Sequence, residues 1–299
     1  MSVVVPVRNR QDAIGACIEA LLAQEHAHRE ILVVDNGSTD GTRDVIQRYP
    51  VTLLVEREIE TSYAARNLGI RHAKGEIVAF IDSDCIAAPG WLAHLLPPFD
   101  DANVGAVVGC IADAPPQSLA EQFTARIQPF ARPDCGGLKT LLTANVAIRR
   151  NALERLNLFD AHLPTAGDVD LGWRIQLRLG LTIAEAPEAV VWHSHRTTMR
   201  DVFAQYRRYG ASEILLSTLY RGGAGSLSRS QHAWRMLQQL RACATYIASF
   251  FVRLLTFRRE LVWPLFLLVV ESGNLAGKIG AWITTHGCTR NPYGRPHKT

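Results

Sequence analysis

The sequence predicts an α/β fold: a mostly parallel central sheet followed by a helical C-terminal extension. Short β-branched runs alternate with amphipathic helical patterns over the first hundred residues, and from Thr197 onward the pattern is almost entirely helical. A β-α-β-α-β-α-β order implies parallel strands covered on both faces. At 299 residues the chain has room for a sizeable core, and its length fits about one to two domains. The boundary is expected at 195/196, with residues 1–100 and 101–195 forming two halves of the first domain.

The elements follow from periodicity. Residues 3–7 form an apolar strand, and 12–23 a helix with Ile14, Cys17, Ile18, Leu21 and Leu22 on one side. Strands over 31–34 and 51–55 flank a helix over 42–48. The helix at 62–73 ends at Lys74-Gly75, a basic last turn and a glycine cap. Residues 77–81 are wholly apolar and read as a strand buried on both faces. Beyond residue 100 the alternation loosens: strands are expected at 104–108 and 143–148, a helix at 168–179, and extended segments at 181–183 and 189–192. The helical tail breaks at Arg221-Gly222-Gly223-Ala224-Gly225-Ser226.

Composition excludes several classes. With 47% hydrophobic and 20% charged residues the chain is neither disordered nor collagen-like. Cys17, Cys85, Cys110, Cys135, Cys243 and Cys288 form no CxxC pair and no zinc-ligand spacing, which fits scattered reduced thiols. A strand that begins at Ser2 leaves no room for a signal peptide, so a cytoplasmic location is expected. The formal charge of +4 is too small to argue for nucleic acid. Its distribution says more: Arg196, Arg200, Arg207, Arg208, Arg221, Arg229, Arg235, Arg241, Arg253, Arg258 and Arg259 crowd residues 196–260, where the acids are Asp201, Glu213 and Glu260. Residues 261–270 are apolar but interrupted at Pro264, and Glu271, Asn274 and Lys278 follow; the stretch falls short of a membrane span. Basic residues beside a Trp-bearing apolar segment fit an interfacial helix on an anionic leaflet, a buried helical pair or an oligomer contact.

In doubly wound sheets, ligands sit beyond the carboxyl ends of the strands. That rule selects three polar clusters: residues 6–9, 35–40 and 82–84. Asp82-Ser83-Asp84, at the mouth of a buried strand, suits a hard divalent cation such as Mn2+ or Mg2+ bridging carboxylate and diphosphate oxygens; the plain alternative is a solvated turn. Asp35-Asn36-Gly37-Ser38 offers hydrogen-bonding groups to a base edge, with Gly37 for a tight backbone path and Thr39 or Asp40 as a helix cap.

Four motifs in this order and spacing resemble family 2 glycosyltransferases: Ser2-Val3-Val4-Val5-Pro6-Val7-Arg8-Asn9, the run from Val34 to Thr42, Ala65-Arg66-Asn67-Leu68-Gly69 and Phe80-Ile81-Asp82-Ser83-Asp84. The resemblance spans about residues 2–195. It implies an inverting, metal-dependent enzyme of the GT-A fold, a Rossmann-like nucleotide-binding architecture. Residues 1–100 would bind the nucleotide sugar and 101–195 the acceptor. Pro6, Val7, Arg8, Asp35 and Asn36 would hold the base and ribose, Arg66 would lie near the diphosphate, and Asp82 and Ser83 would contact the donor. Asp84 would ligate the metal, joined by Asp82 and by His193, which falls where relatives carry a late metal-binding histidine. Many relatives have Asp where this chain has Asn36.

The segment Gly167-Asp168-Val169-Asp170-Leu171-Gly172-Trp173-Arg174 resembles the family's Glu-Asp-x-Asp-Leu-x-x-Arg, with Gly167 in place of the usual Glu. Inverting transfer needs a carboxylate to take the acceptor proton. Asp168 aligns with that base, and Asp170 is the fallback, or else serves the helix N-terminus. His195 is expected to be exposed or structural. Gln205 to Gly210 resembles a helix that closes over the donor, with Arg207 or Arg208 facing the departing diphosphate. Expected partners are a nucleotide-diphosphate sugar, a glycan, lipid-linked or small-molecule acceptor, no nucleic acid, and either a membrane surface at the inner face of the cytoplasmic membrane or a second copy. Two alternatives stand beside this: a sugar-phosphate nucleotidyltransferase, which would release pyrophosphate, and a scaffold that binds donor without transfer. The chain has no GxGxxG after a strand and no P-loop.

Overall fold

Alternation along the first strand sets the layers. In β1 (Ser2–Val7), Val3, Val5 and Val7 face a cluster that includes Ile14, Cys17, Ile18 and Leu21 of α1 (Ile14–Leu22). Val4 points to the opposite face, where it lies against Gly69 of α3 (Ser62–His72) so closely that no side chain would fit at that glycine. The computed structural model describes residues 1–25, 29–127, 137–220, 228–255 and 262–287. Among these, β2 (Glu30–Asp35), α2 (Thr42–Ile46), β3 (Thr52–Val55) and β4 (Ile77–Ile81) complete the expected alternation. The strand order β3-β2-β1-β4 is parallel throughout. Pro6 is tolerated because β1 pairs with β4 only as far as Val4, so the missing N–H is not called on there.

Beyond β4 the sheet becomes mixed. β5 (Cys85–Ala87), α4 (Trp91–Leu95), β6 (Val104–Asp113), α5 (Leu119–Ile127), β7 (Asn145–Arg149), α6 (Arg150–Arg155), α7 (Gly167–Leu179) and β8 (Thr182–His193) follow in order. The full order is β3-β2-β1-β4-β7-β6-β8-β5. β7 runs antiparallel to β4 and β6, β6 and β8 are parallel, and β5 closes the edge antiparallel to β8. The two extended segments expected at 181–183 and 189–192 are one strand. What looked like a gap is a bulge: Gly109 pairs with Ala186 and Cys110 with Val190, so Pro187, Glu188 and Ala189 have no partners on β6.

Asn145 fills that bulge. Its Nδ2 donates to the carbonyls of Cys110 and Ala189, both at 2.8 Å, and its Oδ1 accepts from Trp91 Nε1 at 2.8 Å. Gly109 has no room for a Cβ because the Asn145 amide and the Ala189 carbonyl occupy it. Asn145→Leu keeps the volume and strands the Trp91 indole N–H and the Ala189 carbonyl, both buried, along with the partly buried Cys110 carbonyl, and is expected to destabilise the protein by about 3 kcal/mol. Urea denaturation checks this; an unchanged midpoint would mean the bulge closes without Asn145.

The chain divides into two compact units, Met1–Ala114 with Phe130–Ser194, and Pro115–Pro129 with His195–Thr299. This differs from a simple boundary at 195/196, because α5 joins the helical unit. Its Phe123 stacks on Phe266 with ring centroids 4.3 Å apart, in a cluster with Val202, Val270 and Trp263. That unit also holds α8 (Met199–Leu219), α9 (Arg229–Leu255) and α10 (Val262–Gly287). α8 and α10 touch backbone to backbone, Gly210 against Asn274 and Gly277 against the Arg207 carbonyl. Buried Lys278 reaches Glu213 Oε2 at 2.8 Å, and Arg235 reaches Oε1 at 2.9 Å. Burial alone would push the Glu213 pKa up, but hydrogen bonds and charge from Lys278 and Arg235 hold it below its usual value.

Pro264 does not interrupt α10. It sits in the first turn, where an N–H has no intrahelical acceptor. The stretch Val262–Thr285 is therefore one helix of 24 residues that is long and apolar enough to cross a membrane by length and composition, which corrects the expectation that it falls short. The break at 221–226, together with Arg221, Arg258, Arg259, Glu260, Leu261, Cys135 and Cys288, lies outside the described residues.

Candidate functional site

The loops after β1 and β2 are laced together. Asn9 takes a positive φ of 51°, which asparagine tolerates, and its Oδ1 accepts from Thr39 N at 2.8 Å. Asn9 N donates to Ser38 Oγ at 2.9 Å, and Arg10 N to Thr42 Oγ1 at 2.8 Å. Gly37, at φ 77°, makes the turn that brings Ser38 N back over the Asp35 carboxylate at 3.2 Å. Asp35 is fully buried, and Arg43 holds its Oδ2 through both Nε and Nη2 at 2.7 Å. Asn36 is buried beside it and donates to Ile59 O at 2.9 Å.

Past β4, Asp82 Oδ1 accepts from Arg66 Nη2 at 2.6 Å. Arg66 is buried, and its Nε has no hydrogen-bond partner. Ser83 is buried between the two aspartates. Strand register then delivers the histidine: Cys85 pairs with His193, which sets His193 Nε2 3.7 Å from Asp84 Oδ1. Asp84 Oδ2 meets Arg10 Nη2 at 3.2 Å. Ligand atoms of Asp84, Cys85 and His193 all lie within 4.8 Å of one another. Burial first, then the charges of Asp82 and Asp84, push the Cys85 thiol well above its usual pKa, so it stays protonated.

Asp168 lies in the first turn of α7, after Ala166 at φ 60°. It is half-buried, and its Oδ1 accepts from Val169 N at 3.0 Å. Burial raises its pKa above the ordinary value, against the opposing charge of Arg66. Asp170 belongs to a different network. Its Oδ2 takes Arg174 Nε at 2.8 Å and Nη2 at 2.7 Å, and Arg174 Nη1 donates to the Leu156 and Leu158 carbonyls. A carboxylate so committed ties α7 to the loop before it, so the fallback role of base is withdrawn. Asn67 fastens the same loop to α3, with Nδ2 to Phe159 O at 2.8 Å and Oδ1 from Phe159 N at 3.0 Å.

The first compact unit thus gathers Pro6, Val7, Asp35, Asn36, Arg66, Asp82, Ser83, Asp84 and His193 at the carboxyl ends of β1, β2 and β4 and where β8 meets β5. Arg8 points elsewhere, into an exposed ion pair with Glu60 at 2.9 Å. His195 is buried, which removes its exposed reading. Arg207 and Arg208 are exposed on α8. Sequence reasoning missed Arg10, Arg43 and Cys85, whose signals were only adjacency to the motifs.

The sequence profile of glycosyl transferase family 2 matches residues 2–156. The chain belongs to this family. Among similar proteins, glycosyltransferase AglE of Haloferax volcanii is 32% identical over 178 residues, 56% of this chain and 59% of that one. The pre-mycofactocin glycosyltransferase of Mycobacterium tuberculosis is 28% identical over 273 residues, 87% of this chain and 57% of its own length. The chain therefore spans less than two thirds of these relatives. Among solved structures, mannosyltransferase PcManGT from Pyrobaculum calidifontis, in complex with GDP-Man and Mn2+, superposes with a TM-score of 0.65 at 22% identity, covering 94% of this chain and 86% of that one. The architecture is the GT-A fold, with the helical C-terminal region the sequence predicted.

Proposed function

We propose that the protein is an inverting, metal-assisted glycosyltransferase that moves a sugar from a nucleotide diphosphate to an acceptor hydroxyl. One observation carries the reading: the Cys85–His193 register sets an imidazole beside Asp84, next to the Asp82–Arg66 pair, at the strand ends where a diphosphate would sit. Asp84 and His193 would hold a divalent cation, with Asp82, two residues before Asp84, as a candidate contact through water; a mixed carboxylate and imidazole set suits Mn2+ better than Mg2+. When bound, that ion would neutralise charge on the nucleotide leaving group.

The chain's own groups do the rest. The pocket around Asp35 and Asn36 holds the nucleoside. Arg66, anchored by Asp82, presents its guanidinium to the diphosphate. Asp168 takes the proton from the acceptor hydroxyl as the sugar inverts. Mannosyl and glucosyl donors such as the GDP-Man bound to the Pyrobaculum enzyme are sensible first probes. Thermal melting with GDP-mannose and UDP-glucose should show stabilisation by one of them that grows when Mn2+ is added. Turnover should release nucleoside diphosphate and give an inverted anomer by NMR. Pyrophosphate as product would instead assign a nucleotidyltransferase, and donor binding without turnover a scaffold.

The helical unit adds a partner to this reading. α9 carries Arg229, Arg235, Arg241 and Arg253 and no acid. Leu237, Leu240, Ile247, Phe251 and Leu254 stand exposed along it, with Trp234 beside them. An apolar, Trp-bearing face on a helix that also carries Arg235 and Arg241 suits an anionic lipid surface at the inner face of the cytoplasmic membrane. A lipid-linked acceptor would share that surface. Vesicles containing phosphatidylglycerol should sediment the protein and pure phosphatidylcholine vesicles much less. Self-association without vesicle binding would assign the face to a second copy.

A further inference from the structure

Gly167 stands where the family's segment carries Glu, and the structure contains a physical reason. Tyr63, in the first turn of α3, lies against it: a Cβ at Gly167 would come 2.9 Å from Tyr63 Cε2 and Cζ and 3.0 Å from Cδ2. Tyr63 is buried, and its ring stacks on Phe159 with centroids 5.7 Å apart and planes at 21°. Arg66, one turn along α3, lies 5.8 Å from the ring centroid. The Gly167 amide faces the phenol oxygen. The ring occupies the space from which a side chain at 167 would start, so any residue larger than glycine there has to displace it.

We propose that Tyr63 is a positioning residue for the general base: its ring braces the first turn of α7 at Gly167 and shields the Asp168 carboxyl from water. This rests on the reading of Asp168 as base. Among the described residues, the charged and titratable groups facing Asp168 are Arg66 and Tyr63 on α3 and Asp82 beyond β4. Of these only Arg66 favours the carboxylate; burial opposes it, and the Asp82 charge adds to that opposition. Tyr63 itself stays a neutral phenol, its pKa raised first by burial and then by the charge on Asp168. A neutral aromatic brace keeps the carboxyl dry without adding a second negative charge, which the family's Glu would bring.

The test needs no substrate. A carboxylate whose folded pKa lies above its unfolded value binds more protons when folded, so its contribution to stability falls as pH rises through that interval. The melting temperature of the full chain and of its Asp168→Asn form, compared between about pH 4 and pH 8, therefore reads the titration of Asp168 in place. Tyr63→Phe should leave that pH-dependent difference unchanged. Tyr63→Ala should move it downward by about one pH unit, toward an ordinary hydrated carboxyl. An unchanged difference in Tyr63→Ala overturns the proposal. Gly167→Ala pushes the ring aside and should give the same downward move, which serves if Tyr63→Ala does not fold. The two sites should also couple: Gly167→Ala should lower the melting temperature of the parent chain and not that of Tyr63→Ala. Equal losses in both backgrounds would show that the ring does not bear on Gly167. None of these readouts depends on turnover, so an inactive protein would not sink the inference, and its failure would leave the assignment of the base to activity assays.

Discussion

Asp168→Asn should abolish measurable sugar transfer, by about a thousandfold or more, the range in which a positioned general base works, and should melt at a higher temperature than the parent protein near neutral pH. The two effects share one cause. Burial raises the Asp168 pKa, so holding the ionised form in the fold costs stability above the unfolded carboxyl's pKa, and the neutral amide relieves that cost. The same shift makes the carboxylate a stronger base. In the parent enzyme the rate should fall on the acid side at a higher pH than an ordinary aspartate would give, because the base is lost once it is protonated. Asp168→Asn should still bind donor within a few-fold, because no donor-side residue is altered. A variant that turned over at the parent rate would remove Asp168 from the mechanism.

Asp84→Ala should cost about as much activity by a different route, since charge neutralisation by a bound cation is worth several kcal/mol, or about a thousandfold. Here donor binding should lose its dependence on Mn2+. The variant leaves His193 without its carboxylate neighbour and Arg10 without its partner, so the local charge becomes more positive. Nucleoside diphosphate can therefore still bind, through charge alone, while titrated Mn2+ no longer strengthens it. Calorimetric titration of Mn2+ with and without nucleoside diphosphate separates the two. Retained Mn2+ coupling in Asp84→Ala would place the ion elsewhere.

Much of the fold was legible because its signals are local. The valine alternation at 3–7 and the apolar run at 77–81 each report on their own segment, and each matches an element. The helix expected at 62–73 stops close to its predicted end but not through a glycine cap: Ala73, at φ −66° and ψ 132°, leaves the helix, and Gly75 is instead the close approach to the Met1 backbone. The acidic clusters were legible for a related reason: a parallel sheet places every strand's carboxyl end on one rim, so Asp35 and Asp82 could be assigned to one edge without coordinates. What escaped depends on pairing across distance or on elements too short for periodicity. β5 and α4 span three and five residues, less than two turns of any repeat. That Asp170 is tied to Arg174, four residues on and on the same helix, was within reach of the sequence, but its competition with the catalytic reading needed burial to decide. α5 was unreadable as part of the helical unit because the partner of Phe123 lies at Phe266. Arg10 beside Asp84 and Tyr63 over Gly167 are likewise set by tertiary packing.

The bulge in β8 makes the site sensitive to arithmetic as well as to chemistry. From Ala189 onward, the inward residues are Ala189, Val191 and His193, while Trp192 looks outward. Adding or deleting a single residue in that stretch would exchange the odd and even sets, turning the indole toward Asp84 and the imidazole away. A change that alters no named catalytic group would then silence the enzyme through parity, and natural length variation at this point should come in pairs.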